Sequence, residues 1–488
     1  MKQLTGPDAM FLHMELKGFP MHIGGVSIYD QSTSPGGLVR FKDILAMFAS
    51  RLDRSPIFRR RLAEVPFNLD QPYWVDDPDF DLEFHVRHIA LPKPGDWRQL
   101  CIQVARLHAR PLDRNRPLWE AYIIEGLNDL EGVPPGSFAL YLKVHHAAID
   151  GASGVQFFGA FNDISPEPEP APPPAPWQPE APPGKGKLLF KAYTNNLRKP
   201  GQVLRMGRDL LSSRQRVKQG LSRGEFSELG EIPRTRFNAK MTPHRVLGAT
   251  KFDFEAIRKI KNSVEGATIN DVMLAIVSGA LRKYLDQKGE LPQRTLVTGC
   301  PVNVRDENER DKEGNLVGMM TTALCTDVDD PLQRLREIHE QALNAKAYMQ
   351  AQGSRMMVDF SETLPAGMQA LLIQAAAMTG LAEKNLMMNT MITNVPGAPF
   401  QLYMCGAQLI DSFGIGPLAP GMGLFHTVNS MVMKNKGAIT LAFICCREVM
   451  PDPEFYSQCI EESFAELQPV STQRKKKTTR KKSSRDGS

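Results

Sequence analysis

His145-His146-Ala147-Ala148-Ile149-Asp150-Gly151 follows directly on Phe138-Ala-Leu-Tyr-Leu-Lys-Val144, and the join between them decides how the first half of the chain is read. The leading run alternates with a two-residue period, as a strand does. Neighbouring residues on a strand point to opposite faces, so only one of the two histidines can look into a shared cleft. His146 falls in register with Phe138, Leu140, Leu142 and Val144, and His145 with Ala139, Tyr141 and Lys143. Gly151, two residues before Ser153, lets the chain turn sharply into a helix beginning near Val155. A neutral imidazole at such a turn suits a general base that activates a hydroxyl near pH 7. His146 is therefore the candidate base, and His145 its positional neighbour. Asp150 either orients the imidazole or, four residues away across a turn, pairs with an arginine and braces the loop. A metal site from His145, His146 and Asp150 is not expected, because adjacent strand positions diverge and no fourth ligand clusters nearby.

Bulk properties narrow the frame. At 488 residues the chain exceeds one ordinary core and calls for two domains with linkers. The net charge of +5 is unevenly spread. Arg474 to Arg485 carries eight basic residues against Asp486 alone, and Lys187 to Arg223 carries ten against Asp209, so the folded bodies are acidic with cationic attachments. Seven cysteines, with no Cys-x-x-Cys and no metal spacing, fit a reduced cytosolic compartment. The longest apolar run, Ala370 to Ala382, is too short to span a bilayer and contains Gln374, so any lipid contact is at the surface. GxSxG, GxGxxG and GxxxxGK[ST] are absent. The basic tail has no interleaved aromatics for base stacking, and no nucleic-acid partner is expected.

Along the chain, Phe41 to Arg51 and Arg98 to Arg110 have helical spacing, and Asp81 to Ala90 reads as a strand. Residues 1–163 form the expected N-terminal domain. Residues 164–187 are a proline-rich, extended linker. Residues 188–240 read as a basic amphipathic helix or helix pair, broken near Pro200-Gly201, that docks on the protein or on an anionic membrane. Residues 241–467 form a second domain, with helices at Ile269–Leu285 and Leu332–Met349 and strands at Arg294–Val302 and Ala438–Cys446. Residues 468–488 are a low-complexity basic tail, expected to be disordered.

The motif in Lys143-Val-His-His-Ala-Ala-Ile-Asp-Gly-Ala-Ser-Gly154 resembles the active-site motif of the condensing acyltransferase superfamily. Within it the chain is most similar to the bacterial wax ester synthase/acyl-CoA:diacylglycerol acyltransferases. The resemblance is carried by Leu4 and Asp8, Pro20-Met-His-Ile-Gly-Gly25, Phe84-His-Val-Arg-His88 and Arg116-Pro-Leu-Trp119-Glu120. It continues through Thr268-Ile-Asn270-Asp271, Pro301-Val-Asn-Val-Arg305, Gly314-Asn-Leu-Val-Gly318 and Asn394-Val-Pro-Gly397. Ala398 and Asn303 depart from the common residues, and Ser412-Phe-Gly-Ile-Gly416 does not match the DFGWG of the plant branch.

That resemblance implies an α/β fold of two chloramphenicol-acetyltransferase-like domains forming a pseudo-dimer, with His146 midway along a central channel. Acyl-CoA would enter as substrate from one mouth, and a long-chain alcohol or diacylglycerol from the other, with no cofactor. It also makes Asn270 the candidate oxyanion donor, with a helix N-cap as its alternative reading, and places Asp271 at the same helix start. Pro117, Leu118 and Trp119 would pack the domain or line the acyl tunnel, and Gly151 would border the substrate. Cytoplasmic residence, peripheral on the inner membrane or on lipid inclusions, follows from the same reading. Two competing functions are a condensation-type enzyme using carrier-bound acyl groups and a non-catalytic lipid-binding protein.

Overall fold

The computed structural model describes residues 1–149, 157–167, 176–197, 199–304, 317–353, 356–434 and 436–468. The first half supplies β1 (Lys2–Gln3), α1 (Gly6–Met14), β2 (His22–Asp30), α2 (Phe41–Arg51), β3 (Arg60–Ala63) and β4 (Tyr73–Asp76). It continues with α3 (Leu82–His85), β5 (Val86–Ala90), α4 (Trp97–His108), β6 (Trp119–Leu127) and β7 (Ser137–His145). Next come α5 (Lys185–Asn196) and α6 (Lys199–Ser222). The second half begins with β8 (Arg245–Asp253), α7 (Phe254–Lys261), α8 (Ile269–Gln287), β9 (Val297–Asn303), β10 (Val317–Ala323) and α9 (Pro331–Gln352). It ends with α10 (Met356–Thr363), α11 (Ala366–Met378), α12 (Leu381–Lys384), β11 (Thr390–Pro396), β12 (Tyr403–Met404), β13 (Ala407–Ile415), β14 (Leu424–Met433), β15 (Lys436–Cys446) and α13 (Pro453–Leu467).

Two mixed six-stranded sheets organise these elements, in the orders β12-β13-β2-β7-β6-β5 and β10-β9-β11-β14-β15-β8. The sheets do not follow the halves of the chain. β12 and β13 leave the 241–467 stretch and complete the first sheet, β13 pairing antiparallel with β2 from Gln408 opposite Asp30 to Ile415 opposite Gly24. One apolar core consequently runs through both halves, joining Val26, Leu100 and Tyr141 to Phe413, Val272 and Ile444. The opposite face of the first sheet has its own core of Leu140, Leu142, Val144, Trp119, Phe48 and Phe161.

β7 sits in the middle of the first sheet, paired on one side with β2 and on the other with β6, and all nine of its residues are buried. Burial on both faces explains why its sequence is nearly continuous in apolar residues, and why its polar residues need partners.

Two expectations are corrected. The Asp81–Ala90 stretch opens with the single helical turn α3, because the Asp81 carboxylate accepts the Glu83 amide and caps it, and only Val86–Ala90 is strand. The basic segment is a helix pair, but its break falls before Pro200, which lies in the first turn of α6, where its missing N–H costs nothing.

Candidate active site

β7 ends at His145, and His146–Ala148 is a short 3₁₀ turn. The direction of the His146 ring is therefore set by the turn, not by the strand alternation that placed it in register with Val144. Two backbone bonds fix the exit from the strand. The His145 amide donates to Leu118 O (2.9 Å), and the His146 amide donates to Met21 O (2.9 Å). The catalytic candidate is thus pinned to the residues just ahead of both neighbouring strands.

His145 is fully buried, and its two nitrogens have opposite roles. Nδ1 accepts the Ala147 amide (3.0 Å), which leaves Nε2–H to donate to the Glu15 carboxylate (2.7 Å). Those bonds fix one tautomer and cap the turn that carries His146. Burial lowers the His145 pKa against the pull of Glu15. Burial would raise Glu15, but the bond and charge of His145 and the nearby Arg114 outweigh it and hold the carboxyl below its ordinary value. Glu15 and His145 therefore act as a brace, 130 residues apart in sequence.

The His146 ring stacks on Phe11 of α1, with centroids 3.9 Å apart and planes within 9°. Around the turn, Leu118 and Ala147 pack with Leu4, Ala9 and Leu12. Burial in this apolar wall, the main cause, lowers the His146 pKa to about 4. The imidazole is neutral throughout the physiological range, as a proton acceptor must be.

The other residues singled out from sequence divide sharply. Pro117 and Leu118 are buried beside the turn. Trp119 has no exposed surface: its Nε1–H donates to Phe58 O (3.0 Å), and its ring packs on Phe58, His85 and Phe161. It is a core side chain and offers no face to a substrate. Asp150 and Gly151 lie outside the described residues.

Asn270 and Asp271 open α8 in the second half. Thr268, not Asn270, is the N-cap, in a reciprocal capping box with Asp271. Asp271 also accepts from His339 Nδ1 (2.9 Å), so its carboxylate is committed to tying α8 to α9. Asn270, freed from capping, is half-buried in the wall of a cavity of about 440 Å³ with Cys300, Met320, Ile392 and Asn394. His146 is not among the residues that line that wall.

Sequence reasoning missed Phe11 and Glu15, which neither motif nor spacing marks. It also missed the polar layer on the Tyr141–Lys143 side of β7. The fully buried Lys143 ammonium donates to Leu107 O (3.2 Å) and Arg110 O (3.0 Å) and pairs with Glu120 (3.1 Å). His108 accepts from the Tyr141 hydroxyl (2.8 Å) through Nδ1 and donates through Nε2 to Gly416 O (3.2 Å), bonding the halves together. A Cβ at Gly24 would stand 2.8 Å from the Tyr141 ring, so that glycine makes room for this layer.

An α/β body built around two six-stranded sheets, with a neutral histidine on a turn at the end of a central strand, has a condensing-acyltransferase fold. The match to solved structures is broad. The wax ester synthase/diacylglycerol acyltransferase from Marinobacter aquaeolei is 29% identical with a TM-score of 0.67, covering 96% of this chain and 98% of that one. The starter condensation domain of rhizomide synthetase superposes with a TM-score of 0.55 over 96% of each chain, but at 14% identity it speaks for the fold alone. Residues 4–273 match the wax ester synthase/diacylglycerol acyltransferase catalytic domain, and residues 313–468 the C-terminal domain of that family. The chain belongs to the wax ester synthase/diacylglycerol acyltransferase family and is an acyltransferase. Among curated relatives, the probable diacylglycerol O-acyltransferase tgs2 of Mycobacterium tuberculosis is 32% identical over 94% of this chain and 97% of its own length. The O-acyltransferase WSD of Acinetobacter baylyi is 31% identical over 92% and 93%.

Proposed function

We propose that the protein transfers a long-chain acyl group from acyl-CoA to the hydroxyl of a fatty alcohol, a diacylglycerol or both, with His146 as general base. The observation that carries this reading is the neutral His146 imidazole, pinned by its own amide to Met21 and stacked on Phe11 in an apolar wall. His146 takes the proton of the hydroxyl as its oxygen attacks the thioester carbonyl. Collapse of the tetrahedral intermediate breaks the C–S bond, and the imidazolium returns the proton to the departing thiolate. The base returns to its starting form, so the scheme needs no acyl-enzyme and no cofactor. Burial suits it, because an apolar wall keeps water from competing for the acyl group.

Among the described residues no helix is long and apolar enough to cross a membrane. A protein that acts on such water-insoluble acceptors meets them at an interface, so the reading includes peripheral attachment to a membrane or lipid-inclusion surface. Thiol release from palmitoyl-CoA, first with hexadecanol and then with dioleoylglycerol, tests the reaction. Acceptor-dependent release is expected from the parent and not from His146→Ala; equal release from both removes His146 from the chemistry. Turnover of carrier-linked acyl groups alone would favour the condensation-type alternative.

A further inference from the structure

The longest apolar run of the sequence forms α11, and its surroundings give it a use. Ala366–Met378 contains no charged residue in thirteen. Only one side of it is covered: Ala366, Gln369 and Ala370 are buried, while Met368, Leu371, Leu372 and Met378 face outward. At Met378 the exposure reaches 88%. Such a face is costly in water, and it is not a helix end fraying, since Leu371 and Leu372 lie mid-helix.

A second element presents the same chemistry. In the turn Pro66–Asn68, which packs against α11, Phe67 is 88% exposed and Leu69 beside it is also exposed. Phe67 and Asn68 both hold left-handed backbone, with φ of 60° and 51°. That conformation is rare and unfavourable for a bulky side chain. The turn is locked from behind: Asn196 of α5 donates to Leu69 O (2.7 Å), and Gly367 of α11 fits so close that a Cβ there would lie 3.1 Å from Asn68 O. Strained backbone thus holds an aromatic ring out into solvent beside an uncharged helix. α5, which packs on the turn, adds exposed Phe190 and Tyr193, and Leu197 follows at its C-cap.

Charge selects the occupant. The apolar face carries none, whereas α5, which packs on the Pro66–Asn68 turn, exposes Lys185 and Lys187, and α6, packed against α5 and α10, exposes Arg205, Arg208 and Arg214. A second copy of the chain would set these cations against their own duplicates, an arrangement that opposes pairing. An anionic lipid surface accepts both parts, acyl chains taking the apolar face and headgroups the cations. The position also serves the site. α11 and α10 pack on α1, whose Gly6 lies so close to Ser361 that no Cβ fits, and α1 carries the Phe11 that stacks on His146.

We propose that Phe67, Leu69 and the outer face of α11 dock the protein on an anionic lipid layer, one helix away from His146, so that lipid substrates enter from that layer. The route to His146 rests on the His146 chemistry proposed above; the docking itself does not.

The test uses the full chain and vesicles of phosphatidylcholine containing about one third phosphatidylglycerol. High salt screens the cationic contribution and isolates the apolar one. The parent is expected to co-sediment in high salt, and Phe67→Ser/Leu371→Gln/Leu372→Gln to bind at least about tenfold more weakly. Transfer between detergent-dispersed substrates should be unchanged. Met378→Trp, a single exposed replacement that keeps the fold, should add a blue-shifted emission on vesicle binding relative to the parent. Equal binding by the triple variant, or no shift at Trp while the chain is bound, overturns the proposal. So does a parent dimer that the triple variant converts to monomer with vesicle binding intact. A His146→Ala variant as active in detergent as the parent, with docking as described, would instead overturn the His146 reading alone.

Discussion

Each six-stranded sheet sets a histidine in an apolar environment, His426 fully buried within a strand and His146 half-buried just past a strand end. His426 lies inside β14, with Nδ1 against the Thr390 hydroxyl (3.1 Å) and Nε2 against the Tyr456 hydroxyl (2.8 Å). Burial lowers its pKa to about 3, and both nitrogens are spent on neighbours. His146 is also neutral, with a pKa of about 4, but it stands one residue past the end of β7, where a ring stack on Phe11 rather than mid-strand packing orients it. Desolvation makes a neutral imidazole in both places. What separates His426 from the base proposed at His146 is its position relative to the strand end.

The largest effect that tests this contrast is on rate. His146→Ala should lower kcat/KM by about 10²- to 10⁴-fold, the range that loss of a general base produces, with the melting temperature nearly unchanged. His426→Ala should do the reverse. It leaves Tyr456 and Thr390 without their imidazole partner in the core and should cost about 1–3 kcal/mol of stability, read by urea unfolding. The folded enzyme that remains should turn over at the parental rate. A large rate loss from His426→Ala would erase the distinction between the two histidines.

The pH dependence follows from the same burial. A histidine whose folded pKa is depressed binds fewer protons folded than unfolded, so its contribution to stability is full above about pH 6.5. It is lost as pH falls from there towards the folded values of about 4 for His146 and about 3 for His426. The urea midpoint should therefore drop steadily on acidification below pH 6.5, and less so in His426→Phe. In the same window kcat/KM, measured in brief exposures, should stay nearly flat to about pH 5.5, where an ordinary imidazole would be mostly protonated. An acid limb centred near 6.5 would show that water reaches the ring freely.

A smaller effect should come from the brace. Glu15→Ala removes the acceptor of His145 Nε2–H and one support of the turn beneath His146. Transfer should fall by about tenfold through kcat, as for a misplaced rather than a missing base, and Glu15→Gln, which keeps an acceptor oxygen, should recover most of it. An unchanged rate in Glu15→Ala would mean that the two backbone bonds donated to Leu118 O and Met21 O hold the turn unaided.

These residues also show what the sequence could and could not disclose. The strand and the turn that ends it at His146 were readable because each is local: a period of two, then a turn signal, within a dozen residues. The brace was not, because Glu15 and His145 meet only through the fold. The placement of β13 beside β2 was hidden for the same reason, its register linking residues nearly four hundred apart. Trp119, read from sequence as either domain packing or tunnel lining, is core, and only the fold decides between the two, since adjacency in a motif does not specify which face of β6 a ring takes. The apolar run at Ala370 was legible as too short to span a bilayer, but only its one-sided burial shows a surface.

The smallest effect concerns the second half. Were Asn270 the oxyanion donor, Asn270→Ala should cost about 10²–10³ in kcat, as loss of such a donor does. The geometry argues for less. The capping box of α8 belongs to Thr268 and Asp271, so the replacement leaves the helix start intact, and alanine is the better helix former. Asn270 borders a cavity whose wall lacks His146. The expected loss in Asn270→Ala is therefore under about tenfold, expressed in KM for the acyl substrate rather than in kcat, because a cavity wall acts on binding and not on the developing charge. A drop of a hundredfold confined to kcat would move Asn270 to the reacting carbonyl. The chemistry would then be divided between the two halves instead of residing, as the His146–His426 contrast argues, at the strand end of the first.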